Sequence, residues 1–398
     1  MRIRQYFFNK YLVLGCVCYT IIFLGNILNS NQNIDQTKIS KSELKIYAAN
    51  DDQCSLKKCF DIKKCKKFKI YIYKYPIINK TTIYINILSI LKKSKYYTRN
   101  PNKACLFISA IDTLDQDPLS KNFVKAAASL IPKLKYWNHG KNHIIFNMYS
   151  GTYPNYREKI PFDTDNAIRI KTSFSAKYYR KNFDISFPLF YDNIAFNNSK
   201  VKHLNKSSLT HGSKKYFLTF KGKRYLHGTG SNVRNKLYHL NNQRDVILLT
   251  TCKHGFSWTR FKDRRCDADN VYYDKYDYNE LLNSSTFCLI PRGRRLGTYR
   301  FLESLKVGCV VVLLSDGWIL PFSEIINWNR AIVRVKENQL MQVTSILREI
   351  PYEKIIEMRK LSLFLYEKYF SSLELIIDTT VEILRKRIER FKILNDMP

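Results

Sequence analysis

The sequence is short of acidic residues: 33 Asp and Glu stand against 67 Lys and Arg in 398 residues, a formal charge of +34. Such an excess suits an anionic partner: nucleic acid, anionic lipid, a phosphorylated donor or an acidic polysaccharide. The chain is also full of Asn, Ile and Tyr, which A/T-rich codons favour together with Lys, so net charge alone selects no partner. Other absences exclude more. No GKS or GKT and no GxGxxG occur, which removes the Walker loop and the dinucleotide fingerprint. Cys54, Cys59 and Cys65 have no CxxC partner, which argues against a zinc site. There is no internal repeat. Only one apolar run is long enough to span a bilayer.

That run is "YLVLGCVCYTIIFLGNIL", residues 11–28. At about 1.5 Å per residue it matches a hydrocarbon core roughly 30 Å thick. Arg2, Arg4 and Lys10 precede it and almost no charge follows, so the positive-inside rule places residues 1–10 in the cytoplasm. It lacks a convincing small-x-small cleavage site and reads as an uncleaved signal-anchor. Residues 29–53 read as a polar stem.

The body would then be lumenal, and its cysteines agree. Cys54, Cys59, Cys65, Cys105, Cys252, Cys266, Cys288 and Cys309 are even in number, as disulfides in an oxidising compartment require. Spacing alone leaves their pairing open. Asn79, Asn197, Asn205 and Asn283 open glycosylation sequons. Nucleic acid is absent from such a compartment.

Along the body, β-rich runs alternate with helical patterns. Residues 68–75, 104–111, 143–150 and 184–190 read as strands, with helices over 80–97 and 119–135. A polar stretch, 192–214, reads as a linker. A second series follows at 215–222, 245–252, 285–292, 309–316 and 330–336, and 352–393 is helical. Such alternation predicts parallel α/β sheets. Two series predict two doubly wound domains facing a cleft, at 54–210 and 211–393.

The densest motif is "FCLIPRGRRLGTYRFLESL", 287–305. It reads as a strand over 286–290, a loop over 291–297 and a helix from about 298 capped by Thr298. Ligands of open α/β sheets bind outside the carboxyl ends of strands. There a helix N-terminus, Gly293, Gly297, Arg294, Arg295 and Arg300 suit a diphosphate. Glu303 shares a helix face with Arg300 and suits ribose hydroxyls; the bland alternative is a surface loop with an Arg300–Glu303 pair. "FKGKRYLHGTGSNVRN", 220–235, adds Lys221, Lys223, Tyr225 and Arg234. His254, in the loop between Cys252 and Cys266, is a candidate for substrate contact or proton transfer. Three DxD triplets, 115–117, 163–165 and 267–269, suggest a metal only weakly. Asp112, Asp115 and Asp117 follow a strand and offer a general base.

Together "FCLIPRGRRLGTYRFLESL", "GWILPFSEIINWN", "FKGKRYL", "LLTTCKHG" and "CLFISAIDTLDQD" closely resemble the exostosin family, glycosyltransferase family 47, over roughly 54–393. The resemblance implies a GT-B fold and an inverting enzyme of heparan sulfate elongation. Its donor would be UDP-glucuronate, its acceptor the 4-hydroxyl of a terminal GlcNAc on a proteoglycan glycan. It implies a type II protein of the Golgi and endoplasmic reticulum with no required metal or cofactor. The family's UDP-binding residues fall on Lys221, Lys223, Tyr225, Arg234, Tyr273, Tyr278, Arg300 and Glu303, and its acceptor residues on Leu119, Tyr156 and His254. Asp117 and His254 are the candidate bases. The implied disulfides are Cys54–Cys59, Cys65–Cys105, Cys252–Cys266 and Cys288–Cys309. The chain ends at Pro398, where full-length relatives continue into a GlcNAc-transferase domain. It resembles the short, nematode-type form, for which a heterodimer with a second exostosin is expected. The alternative role is a non-catalytic subunit that stabilises such a partner.

Overall fold

The computed structural model describes residues 54–74, 80–191, 214–255 and 258–395. The segment 11–28, the stem, the linker and Asn79, Asn197 and Asn205 lie outside the described residues. Among the described residues no helix is long and apolar enough to cross a membrane. Asn283 is exposed at the end of the helix Tyr278–Asn283.

The first half is built on a six-stranded parallel sheet. In chain order its strands are β1 (Ile70–Ile72), β2 (Tyr97–Thr98), β3 (Leu106–Ile108), β5 (His143–Asn147), β7 (Ile168–Lys171) and β8 (Ile185–Ser186), arranged 2-1-3-5-7-8. A short parallel pair, β4 (Asp115–Gln116) and β6 (Tyr149–Ser150), extends the loops after β3 and β5. The second half holds a five-stranded parallel sheet of order 10-9-11-12-13. It comprises β9 (Tyr216–Lys223), β10 (Val246–Thr251), β11 (Ser285–Pro291), β12 (Val310–Leu314) and β13 (Val333–Arg334). β10 and β12 are buried along their whole length, as strands covered by helices on both faces must be.

The strands lie within the expected segments, apart from β2, β4 and β7, and β9 runs one residue beyond its segment. The helix over 80–97 contracts to Thr82–Lys93. Thr81 caps it by accepting from the Tyr84 amide at 3.3 Å, and Tyr84, Ile87, Leu88 and Leu91 form its buried stripe. The helix expected over 119–135 is a correction. Only Ala127–Leu130 is α-helical, followed by a 3-10 turn at Ile131–Lys133. Pro118 and Pro132 bracket this stretch, and Ser120 is tied back to Asp115 at 2.5 Å.

The terminal helices are Tyr352–Tyr369 and Leu373–Asn395. The second returns to the first half: Arg387 donates to the Phe183 carbonyl at 2.6 Å and pairs with Glu324. One apolar core consequently runs through both halves, from Ile70 and Phe146 to Val311, Trp328 and Ile376. The described residues form a single compact unit. The four disulfides are those the resemblance implies: Cys54–Cys59, Cys65–Cys105, Cys252–Cys266 and Cys288–Cys309.

Two buried ion networks fix local geometry. Arg224, 1% exposed, meets Asp263 at 2.6 Å and Asp269 at 3.1 Å, beside the Cys252–Cys266 staple. Asp184, fully buried, is gripped by Arg169 at 2.6 Å and Arg180 at 2.7 Å. Burial alone would raise its pKa, but the two guanidinium groups hold the carboxyl below the usual range. Its stabilisation is therefore complete above the unfolded value, about 3.9, and lost as pH falls through the lower folded value. Asp184→Asn should cost about 3–5 kcal/mol in denaturant unfolding at pH 7, and less near pH 3. An equal cost at both pH values would contradict the pairing.

Candidate active site

In the second sheet the chain runs from β9 out to β10, then back past β9 to β11. The crevice between the carboxyl ends of β9 and β11 is therefore a topological switch point, the place where open α/β sheets bind ligands. The first sheet has its own, between β1 and β3. Both "FKGKRYL" and "PRGRRLG" end at the first of these crevices.

The side chains there form a continuous basic and aromatic surface. Arg234 is 4% exposed, with its ring of donors spent on carbonyls: Lys223 at 2.7 Å, Arg292 at 2.9 Å and Pro291 at 3.1 Å. No carboxylate pairs with it among the described residues. Burial, with Arg300 and Arg294 nearby, lowers its pKa to about 10, so it stays charged at neutral pH. Arg294 donates to the carbonyls of His227 and Thr229 and lies 4.3 Å from the Tyr225 ring centre. Arg300 donates to the Lys221 carbonyl at 2.9 Å. Lys221 stands 4.3 Å over the Tyr273 ring and donates to the Tyr276 carbonyl. Lys223 is exposed at the strand end.

Glu303 is the acid of this cluster, and it accepts the Tyr278 hydroxyl rather than pairing with Arg300. Burial, followed by Glu303, raises the Tyr278 pKa, which keeps the phenol a donor. The helix begins at Arg300, not 298, and spans only Arg300–Lys306; Tyr299 occupies the cap and Thr298 makes no side-chain cap. The arginines and free loop amides, rather than a long helix dipole, supply the positive potential.

The loop 292–299 then crosses to the first half. Arg295 pairs with Asp117 at 2.9 Å and donates to the Gly151 carbonyl at 2.8 Å. The Gly297 amide donates to Ser173 Oγ at 3.0 Å. A Cβ at Gly297 would sit 2.5 Å from that oxygen, so this glycine admits the protein's other half rather than a ligand. Gly230 is needed similarly: its φ is +79°, and a Cβ would approach the Gly293 carbonyl to 2.3 Å. Tyr299 stacks on Tyr191 at 3.8 Å and shares a hydroxyl contact with Tyr149.

Two cavities flank this bridge. One, of about 600 Å³, lies at the first-half switch point between Thr81, Asp115, Tyr149, Tyr191 and Tyr299. The other, of about 300 Å³, lies between Tyr156, Glu158, Lys171, Ser173, Arg292, Arg294 and Arg295. Tyr156 faces Arg294 and Arg295 at 5.5 and 5.3 Å. Leu119 is 74% exposed beside Asp117, whose Oδ1 accepts its amide at 3.1 Å. His254 lies 5.2 Å from Tyr225. Its burial, then Lys223 and Arg294, lower its pKa, so it is neutral at pH 7, and its buried Nδ1 has no protein partner.

The structure thus gathers Tyr225, Arg234, His254, Gly293 and Arg294 at one end and Lys221, Tyr273, Tyr278, Arg300 and Glu303 at the other, with Lys223 on the strand between. It sets Asp117, Leu119 and Tyr156 across the cleft, with Arg295 bound to that side. The DxD acids are individually engaged: Asp115 by Ser120, Asp165 by Trp137 and Asp267 by Lys262. Sequence reasoning passed over His227, Arg292 and Lys171. The carboxyl end of β7, "IRIK", carried the only signal for Lys171, and that strand was itself not recognised.

Two variants separate binding from folding here. Lys223→Ala should weaken UDP binding and leave the melting temperature unchanged. Arg234→Ala should weaken UDP binding by about 1.5–3 kcal/mol and also lower the melting temperature, because three carbonyls lose their donor. Calorimetry and thermal denaturation of both variants provide the check; a Lys223→Ala variant that melts early would contradict the assignment.

Residues 64–350 match the family Exostosin GT47 domain. Among similar curated proteins, exostosin-1 of Bos taurus is 47% identical over 363 residues, covering 90% of this chain and 48% of that protein. Exostosin-1a of Danio rerio is 49% identical, covering 85% and 46%. Exostosin-1 of Drosophila melanogaster is 44% identical, covering 94% and 51%. The chain spans about half the length of these relatives. Of solved structures, a glycosyltransferase from Rickettsia africae aligns with a TM-score of 0.37 at 12% identity, over 81% of this chain and 99% of that one. With a family match over most of the described body and these identities, the chain belongs to the exostosin family of glycosyltransferases.

Proposed function

We propose that this chain is an inverting glucuronosyltransferase of heparan sulfate elongation, moving glucuronate from UDP-glucuronate to the 4-hydroxyl of a terminal GlcNAc. The observation that carries the reading is the set of guanidinium groups at the β9/β11 crevice, buried for Arg234 and Arg294 and half-buried for Arg300, held by carbonyls instead of carboxylates. Such charges are costly to bury and gain their counter-ion from an anionic ligand. A scaffold subunit has no need of them, which favours an enzyme over the non-catalytic alternative.

In this reading Arg234, Arg294 and Arg300 hold the diphosphate, with Lys223 at the solvent edge. Tyr273 and Tyr278 flank the base, and Glu303, oriented by Tyr278, accepts from ribose hydroxyls. The two parallel sheets act as the donor and acceptor halves of a GT-B enzyme. The arginines offset charge on departing UDP, a task a divalent cation performs elsewhere. The four disulfides suit a lumenal body in the endoplasmic reticulum and Golgi, anchored through residues 11–28. A second exostosin is the proposed partner in elongation.

Asp117 and His254 remain the proposed bases, and their surroundings differ. Both Asp117 oxygens are engaged, one by Arg295 and one by the Leu119 amide. His254 is neutral with an unclaimed ring nitrogen. In this reading His254 is the less encumbered of the two. With UDP-glucuronate and a GlcNAc-terminated oligosaccharide, the protein should add one uronate in the presence of EDTA, read by mass spectrometry. His254→Ala should lower kcat by about 100-fold or more, and Asp117→Asn should lower it less. Transfer abolished by EDTA and restored by manganese would remove the metal-free account. Full activity in His254→Ala would remove the base assignment.

A further inference from the structure

We propose that the smaller cavity of the cleft is a carboxylate-binding sugar subsite, and that Lys171 is the residue by which it selects a uronic acid over a neutral hexose. This rests on the diphosphate reading above and goes beyond it, naming the group that recognises the sugar's acid.

Lys171 ends β7 and points into the cavity between the halves while being only 4% exposed. Among the described residues its ammonium has one hydrogen bond, to the carbonyl of its own neighbour, Thr172, at 3.2 Å. Among the described residues no carboxylate lies within ion-pairing distance of it. The nearby acid, Glu158, spends an oxygen on the Ser175 amide at 2.7 Å. The Lys171 ammonium lies 5.4 Å from the Phe174 ring centre. Arg292 and Arg294 line the same cavity, and the buried Nε of each has no partner. Lys171, Lys177, Arg292, Arg294 and Arg295 thus line one cavity against only two acids, Glu158 and Asp316, while Arg292 meets Glu337 at 4.0 Å and Arg294 keeps its two carbonyl bonds.

Chemically, such a space takes a compact anion that can accept several hydrogen bonds. Its position says which anion. Arg294 belongs to both places, facing Tyr225 in the phosphate cluster at 4.3 Å and Tyr156 across the cavity at 5.5 Å. A sugar joined to a diphosphate at that cluster would enter the cavity directly, and about 300 Å³ is the scale of a small-ligand site. A hexuronate carries its carboxylate outside the ring, away from the anomeric phosphate, and so toward Lys171. Burial, opposed by Glu158 and reinforced by Arg169 and Arg295, lowers the Lys171 pKa to about 8. It is charged at neutral pH and poorly compensated, which a ligand carboxylate would correct.

The same carboxylate could come from the donor or from a uronate of the acceptor chain, and binding without acceptor separates the two. Calorimetry should show the wild-type protein preferring UDP-glucuronate to UDP-glucose by about tenfold or more, the scale of one charge-assisted hydrogen bond. Lys171→Met should bind UDP as the wild type does and lose most of that preference. Lys171→Arg should keep it in part. A methionine variant with UDP affinity and full donor preference would overturn the inference while leaving the diphosphate reading intact. So would a wild type with no preference until a uronate-bearing acceptor is added. If Lys171→Met loses UDP binding altogether, Lys171→Arg decides, and equal binding of both donors by that variant overturns the proposal. A wild type that binds no UDP would overturn the diphosphate reading and this inference with it.

Discussion

The loop that leaves β11 must satisfy two sheets at once, and the site depends on how it does so. Its first residues face the β9/β11 crevice, where Arg234 and Arg294 fasten the backbone by donating to carbonyls. Its next residues cross to the first half through Arg295, Gly297 and Tyr299. A carbonyl satisfies a guanidinium hydrogen bond without cancelling its charge. The loop is thereby rigid and still electropositive, which a fastening by carboxylates would not permit.

Elsewhere most buried arginines are neutralised directly; Arg359, which donates to the Gly308 carbonyl at 3.1 Å, is an exception. Arg224, Arg169 and Arg180 are paired directly with Asp263, Asp269 and Asp184, and Arg387 with Glu324. These pairs fix the Cys252–Cys266 loop, the end of the first sheet and the returning C-terminal helix. Carboxylate-paired arginines thus build much of the frame, and Arg234, Arg294 and Arg300, held by carbonyls, gather at the β9/β11 crevice. The excess of basic residues in the composition conceals this division, because both kinds count equally in a net charge of +34.

Several features were legible in the sequence because each is written locally. Long apolar runs such as "CVVVLL" can only be interior parallel strands, and glycine-rich basic loops at their ends mark a ligand crevice. The disulfide pairs came through family resemblance, not spacing. What could not be read depends on distant partners. β7 alternates apolar and basic residues because its Lys171 ends in an interior cavity. The stretch 119–135 has helical periodicity, but prolines and the Ser120–Asp115 bond keep it coiled. The link from Arg295 to Asp117 joins residues 178 apart. The last helix looked like part of the second half until Arg387 placed it on Phe183 and Asp184.

The central claim is that the un-neutralised arginines around β9 and β11 form a diphosphate site whose loop is shared with the first half. Hydrogen exchange, read by mass spectrometry with and without UDP, tests it most directly. UDP should protect amides in 221–234 and 291–300, and, through the Gly297–Ser173 and Arg295–Gly151 bonds, those around 150–152 and 173–175. Protection confined to segments outside these, or none at saturating UDP, would contradict the account.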